Sequence, residues 1–161
     1  MAISYYLIGL RKNPDRLFAA AMTCVMTALS GMAVGTVAGG AFSSIAMALA
    51  VLPLLLLPLM MFSGLIVNIS SIPIYFKWIK YVSPMKYGYA ALMKNEYNGL
   101  VFENCNPTKG EPCQGEQVLE LMGLNDGLDV YQNIGILMAI YLLLMIVGFF
   151  ALLRLAVKIR Y

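Results

Sequence analysis

The side chains able to do chemistry are few and lie far apart. The 161 residues contain no histidine and three cysteines. Cys24 sits in an apolar stretch, whereas Cys105 and Cys113 share a polar one. Without histidine a zinc site is disfavoured, so the Cys105/Cys113 pair reads as a disulfide of an oxidising compartment. Closing so short a loop contributes roughly 2.5 kcal/mol in the chain-entropy account. Glu96 is the carboxylate expected nearest the apolar stretches, where it reads as a helix-end residue rather than a proton carrier. Lys86-x-x-Tyr89-x-x-Leu92 fits a proposed sterol-contact pattern. There is no G-x-x-x-x-G-K-[ST], no G-x-S-x-G and no carboxylate pair within an apolar stretch. This inventory leaves no basis for acid–base, metal or nucleotide chemistry in the chain alone, which is not expected to be an enzyme.

The elements that would position these groups are set by hydropathy. Hydrophobic residues make up 61% of the chain and charged residues 12%, about half the usual charged share of a soluble domain. Mean hydropathy is +0.79. Leu17 to Phe76 contains no Asp, Glu, Lys or Arg, and neither does Val130 to Leu153. A spanning helix needs roughly 20 mainly apolar residues. The first run therefore predicts two spans, about Leu17–Val37 and Ser44–Val67, and the second predicts one, about Val130–Leu153.

Local signals refine this. Asn13-Pro14-Asp15 offers a turn before the first span, with Asp15 able to cap it. Gly31, Gly35 and Gly39 recur every four residues, a ridge suited to close helix packing in lipid. Gly39-Gly40-Ala41 predicts a tight turn. Pro53 and Pro58 in the second span suggest a bent helix, which either borders a cavity or is kinked to improve packing. Residues 72–81 mix aromatics with lysine, as segments at headgroup level do. Ser83-Pro84 predicts the start of a re-entrant or interfacial helix to about Tyr97, with Ser83 as cap and Met85, Tyr89, Leu92 and Met93 on one side. A short helix over Glu116–Met122 would close at Gly123.

The expected fold class is an all-α polytopic membrane protein. It has three transmembrane helices, a re-entrant or interfacial helix and a small disulfide-bearing external loop. Its parts are a lead-in over 1–16, a two-span hairpin over 17–67, a polar segment over 68–129, and a last span with tail over 130–161. The disulfide places loop 68–129 outside the cell and the C-terminal basic cluster in the cytosol, in what reads as the plasma membrane. The basic N-terminal group is then external, which favours a chain preceded by further spans. Asn68-Ile69-Ser70 is a glycosylation sequon lying against the membrane face, where the glycosylating enzyme would struggle to reach it, and Asn106-Pro107-Thr108 is disqualified by its proline.

Phe62-Ser63-Gly64-Leu65-Ile66-Val67-Asn68, then Trp78-Ile79-Lys80-Tyr81-Val82-Ser83-Pro84, then Lys86 to Leu92 with Asn95-Glu96-Tyr97, resemble the C-terminal half of the membrane domain in G-subfamily ABC half-transporters. These are the White and breast-cancer-resistance type. The resemblance implies that the spans are the last three of six, with the first three and an ATP-binding domain upstream. ATP and magnesium would belong to that domain, and this chain itself takes no cofactor. It implies a homo- or heterodimer with the substrate path between two copies of the middle span, membrane lipid as surroundings and no nucleic-acid partner. Pro53, Leu57 and Met60 would line the path, Leu65 and Ile66 would form a plug, and the intraloop disulfide would carry over to Cys105 and Cys113. The function this implies is part of the path of an ATP-driven exporter of lipophilic cargo such as sterols, lipids or xenobiotics. The rivals are a stand-alone permease subunit and a non-transporting scaffold that packs through the glycine ridge.

Overall fold

The computed structural model describes residues 13–42, 44–64, 75, 81–102, 113–124 and 126–160, the last three by backbone alone. Among the described residues five helices follow in order: α1 (Pro14–Ala41), α2 (Ile45–Met61), α3 (Pro84–Tyr97), α4 (Gly115–Leu121) and α5 (Val130–Arg160).

α1 begins at Pro14, with Asn13 as its extended N-cap and Asp15 inside the first turn rather than capping. Proline is tolerated there because the first amides of a helix have no carbonyl to meet. The helix does not turn at Gly39-Gly40; it continues to Ala41 and stops at the extended Phe42. Thr23, Thr27 and Ser30 donate their hydroxyls to the carbonyls of Ala19, Thr23 and Met26 at 2.7–2.8 Å, and Thr36 donates to that of Ala33 at 2.8 Å. Each hydroxyl in this apolar helix is thereby satisfied within the helix.

α1 and α5 pack side by side over most of their lengths. Their register is parallel: Met26 shares a core cluster with Leu137, Thr36 and Val37 face Gly148, and Gly40 faces Ala151 and Leu152. A Cβ at Gly40 would stand 2.9 Å from both Ala151 Cβ and the Leu152 amide nitrogen. One at Gly148 would stand 2.9 Å from Thr36 Oγ1. The glycines that permit this approach are therefore Gly40 and Gly148. Around Gly31, Gly35 and Gly39 no other part of the described structure comes within 4 Å of where a Cβ would be.

Two helices among the described residues are long and apolar enough to cross a membrane, Pro14–Ala41 and Val130–Val157, and this corrects the expectation of three. The middle helix has 17 residues, about 26 Å at 1.5 Å per residue, against roughly 30 Å of hydrocarbon. It ends where Phe62 leaves helical geometry and Gly64 adopts φ 90°, a left-handed conformation that glycine takes without penalty. Of the two cysteines expected to form the loop disulfide, Cys113 is disulfide-bonded and Cys105 lies outside the described residues.

α3 takes up the bundle where α2 stops. Its start lies beside the middle of α1, with Gly88 against Thr27, and its end lies beside the first turn of α1, where Asn95 meets Arg16. It thus runs antiparallel to α1 and along the spans rather than flat on a surface. α4 caps this end of the molecule: Leu119 and Leu124 close over Ala90, with Phe62, Tyr89, Met93, Tyr97 and Met122 packed around them. Gly123, at φ 71°, ends α4 as the sequence suggests.

If Gly40 and Gly148 set the α1–α5 distance, Gly40→Val is expected to lower the melting temperature of the detergent-purified protein, with an overpacking cost of about 1–3 kcal/mol. Gly31→Ala, at an open position, is expected to leave it unchanged. Equal melting of the two variants would contradict this packing.

Candidate functional site

The polar side chains converge where α3 meets the run into α5. Lys86 and Lys94 stand eight residues apart on α3, about 12 Å along its axis. Both reach back to the single carboxylate of Asp126. Lys86 Nζ lies 3.2 Å from one oxygen, and Lys94 Nζ donates to the other in a short contact. Lys94 also donates to the Leu128 carbonyl at 2.7 Å. The residues are only 4% and 7% exposed, so each ammonium has exchanged its water for protein partners. Lys86 Nζ further sits 4.9 Å from the centroid of the Tyr87 ring and 5.5 Å from that of Tyr81, a favourable place for a desolvated cation. Burial pushes the Asp126 carboxyl up, but hydrogen bonds and charge from Lys94 and Lys86 outweigh it and hold the group below its ordinary value.

Two further joints tie α3 to its neighbours. Arg16 donates to the Asn95 carbonyl at 2.6 Å and to that of Asn98 at 3.2 Å, while Asn95 Nδ2 donates back to the Arg16 carbonyl at 2.9 Å. At the other end, Ser83 precedes α3 but does not cap it. Its hydroxyl, fully buried, donates to the Leu59 carbonyl at 2.9 Å. The amide that would take that carbonyl in a continuing helix is Ser63's, and it bonds Met60 instead. Ser83 therefore satisfies a carbonyl orphaned by the end of α2. Asn133, at 0% exposure, donates to the Asp129 carbonyl at 2.9 Å, and its Oδ1 has no partner among the described residues.

The residues singled out in the sequence fall mostly elsewhere. Pro53, Leu57 and Met60 lie on one stripe of α2, with Pro53 and Leu57 exposed and Met60 half-buried. Leu65, Ile66, Asn68 and Cys105 lie outside the described residues. Cys113 lies in a short antiparallel pairing, where its carbonyl accepts the Phe102 amide at 3.0 Å. Cys24 is a half-buried free thiol. Lys86 of the sterol-contact pattern is occupied by Asp126, and the Tyr89 hydroxyl points to Met122 Sδ at 3.7 Å. Sequence reasoning missed the Lys86–Asp126–Lys94 cluster. Its signal was present: two lysines on the same side of a helix, flanking Ala90-Ala91, beside a turn that carries one aspartate.

Asp126→Asn is expected to lower thermal stability more than Asp129→Asn, because it leaves two buried ammonium groups without a counter-charge. Since folding depresses the Asp126 pKa, its contribution is complete above the ordinary carboxylate range and lost as pH falls through the depressed value. The wild-type melting temperature should therefore show no Asp126-dependent change between about pH 5 and 8. Ser83→Ala, which strands the Leu59 carbonyl, is expected to cost about 1–3 kcal/mol, and a neutral effect would remove that joint from the account.

Comparison with known proteins agrees with this architecture. Residues 1–97 match the family described as ABC-2 type transporter. The chain is 33% identical over 151 residues to Protein white of Ceratitis capitata, covering 92% of this chain and 21% of that protein. It is 35% identical over 136 residues to the broad substrate specificity ATP-binding cassette transporter ABCG2 of Bos taurus, covering 80% and 20%. It is 31% identical over 163 residues to the ABC transporter ATP-binding protein/permease wht-1 of Caenorhabditis elegans, covering 94% and 24%. The chain thus spans about a fifth of the length of these relatives. It carries the non-catalytic membrane module without a nucleotide-binding motif. With apolar helices of spanning length and a family match over more than half its residues, the chain belongs to the ABC-2 type transporter membrane domains, on the White and ABCG2-like side.

Proposed function

We propose that the chain forms the distal part of the membrane domain of an ATP-driven exporter, with α2 as one wall of the path for lipophilic cargo. The observation that carries this reading is the state of α2. None of its 17 residues is buried and none is charged. Leu54 is 71% exposed and Leu57 58%. Pro53, Leu57 and Met60 recur at helical spacing along one side, a surface that offers dispersion contact and no charge. A methionine in such a wall adapts to cargo of varied shape. Relatives named as broad-specificity transporters support an apolar, adaptable path.

In this reading a second half-transporter faces α2 across the path, and an ATP-binding domain outside this chain supplies the energy. Leu65 and Ile66, just beyond the end of α2, form the plug. The loop around α3 and α4 faces outward, and the end of α5 faces the cytosol, in the plasma membrane.

In the full-length protein, Leu57→Glu is expected to lower ATP-dependent export of a lipophilic dye at least tenfold, because a carboxylate in the apolar wall must be desolvated at each passage. Leu65→Ala with Ile66→Ala is expected to change the export rate at unchanged expression. Unaltered export in both variants would favour a scaffold that moves no cargo.

A further inference from the structure

The end of the bundle where α1 and α5 finish holds a groove that the transport reading does not use. One part, a cavity of about 480 Å³, lies between α1 and α5 and is bordered by Gly40, Val147, Phe150, Ala151 and Arg154. A second, of about 460 Å³, lies between α1 and α2 and is bordered by Gly35, Gly39, Leu49 and Leu52. Leu155 lines both. Apart from Arg154, the side chains bordering the first part are apolar or absent, and the second has no charged border at all.

The electrostatics of this end have one sign. No Asp or Glu occurs between Asp15 and Glu96 or after Asp129, so α1 beyond its first turn, α2 and the whole of α5 carry no carboxylate. Arg154 is the one charged residue from Val130 to Val157. It is exposed, and its guanidinium has no ion-pair or hydrogen-bond partner among the described residues. Lys158 and Arg160 follow within two turns. A guanidinium with open donors at the mouth of an apolar groove matches a phosphate joined to a hydrocarbon tail. The groove runs from the level of Arg154 back to that of Val147, about 10 Å of helix, enough to hold the upper half of an acyl chain. A sterol would leave the cation unmet, and a zwitterionic headgroup would bring its own ammonium to compete for the phosphate.

We infer that this groove binds one anionic phospholipid, its phosphate on Arg154 and an acyl chain along Leu155, Phe150 and Val147. The test uses the full-length protein reconstituted in vesicles of equimolar phosphatidylglycerol and phosphatidylcholine. The lipid that remains after detergent extraction and purification is counted by mass spectrometry. The retained lipid is expected to be enriched in phosphatidylglycerol by about fivefold, the discrimination one basic residue provides beside anionic lipid. Arg154→Gln should return the ratio to that of the vesicles, and Arg154→Lys should restore most of it. Val147→Trp, which fills the groove without changing charge, should lower the total lipid retained. Equal retention of the two lipids, or an unchanged ratio in Arg154→Gln, overturns the site. So does cross-linking from Leu155→Cys to another protein segment or a second copy, which would make the groove a protein interface. Export by the Leu57 and Leu65 routes is untouched by these outcomes, so the two readings fail separately.

Discussion

Hydrocarbon offers no hydrogen bonds, and the arrangement of this chain follows from that. Every amide, carbonyl, hydroxyl and ammonium removed from water must find a partner in the protein itself. The hydroxyls of α1 turn back on their own helix. The end of α2 leaves a carbonyl that Ser83 collects from a different helix. The lysines of α3, too deep to keep their water, share one aspartate and a backbone carbonyl. These joints are also what decides where α3 sits, since apolar contact alone has little preference between lipid and protein.

Close packing supplies the rest. α1 and α5 run in the same direction and touch through positions where a methyl group would not fit, Gly40 against Ala151 and Leu152, and Gly148 against Thr36. In a bilayer such approach gains dispersion energy where burial gains little. α2 does not share in it, and its apolar surface is left facing outward from the described bundle.

Much of this was legible in the residues. Long charge-free runs announced α1 and α5, Ser83-Pro84 marked the start of α3 to the residue, and Gly123 marked the end of α4. The length of the middle helix was not legible, because hydropathy continues unbroken past Met61 while the backbone turns at Phe62 to Gly64. Which glycines pack was not legible either. Spacing every four residues picked Gly31, Gly35 and Gly39, whereas the side on which α5 lies selected Gly40, one residue and about 100° away. The buried lysines were hidden for a similar reason: charge in a polar segment looks solvated until the fold shows which helix lies beneath it.

α3 is held at three places at once. Ser83 ties its start to α2, Asn95 ties its last turn to Arg16 of α1, and Lys94 ties its side to the approach to α5. It therefore behaves as a strut pinned to three members, and no single member can rock without either loading the other two or parting a bond. Were these helices to tilt, the weakest pin would determine which of them is free to swing. The lone hydroxyl–carbonyl bond to α2, uncharged and single, is the weakest of the three by its chemistry and would be the first to yield.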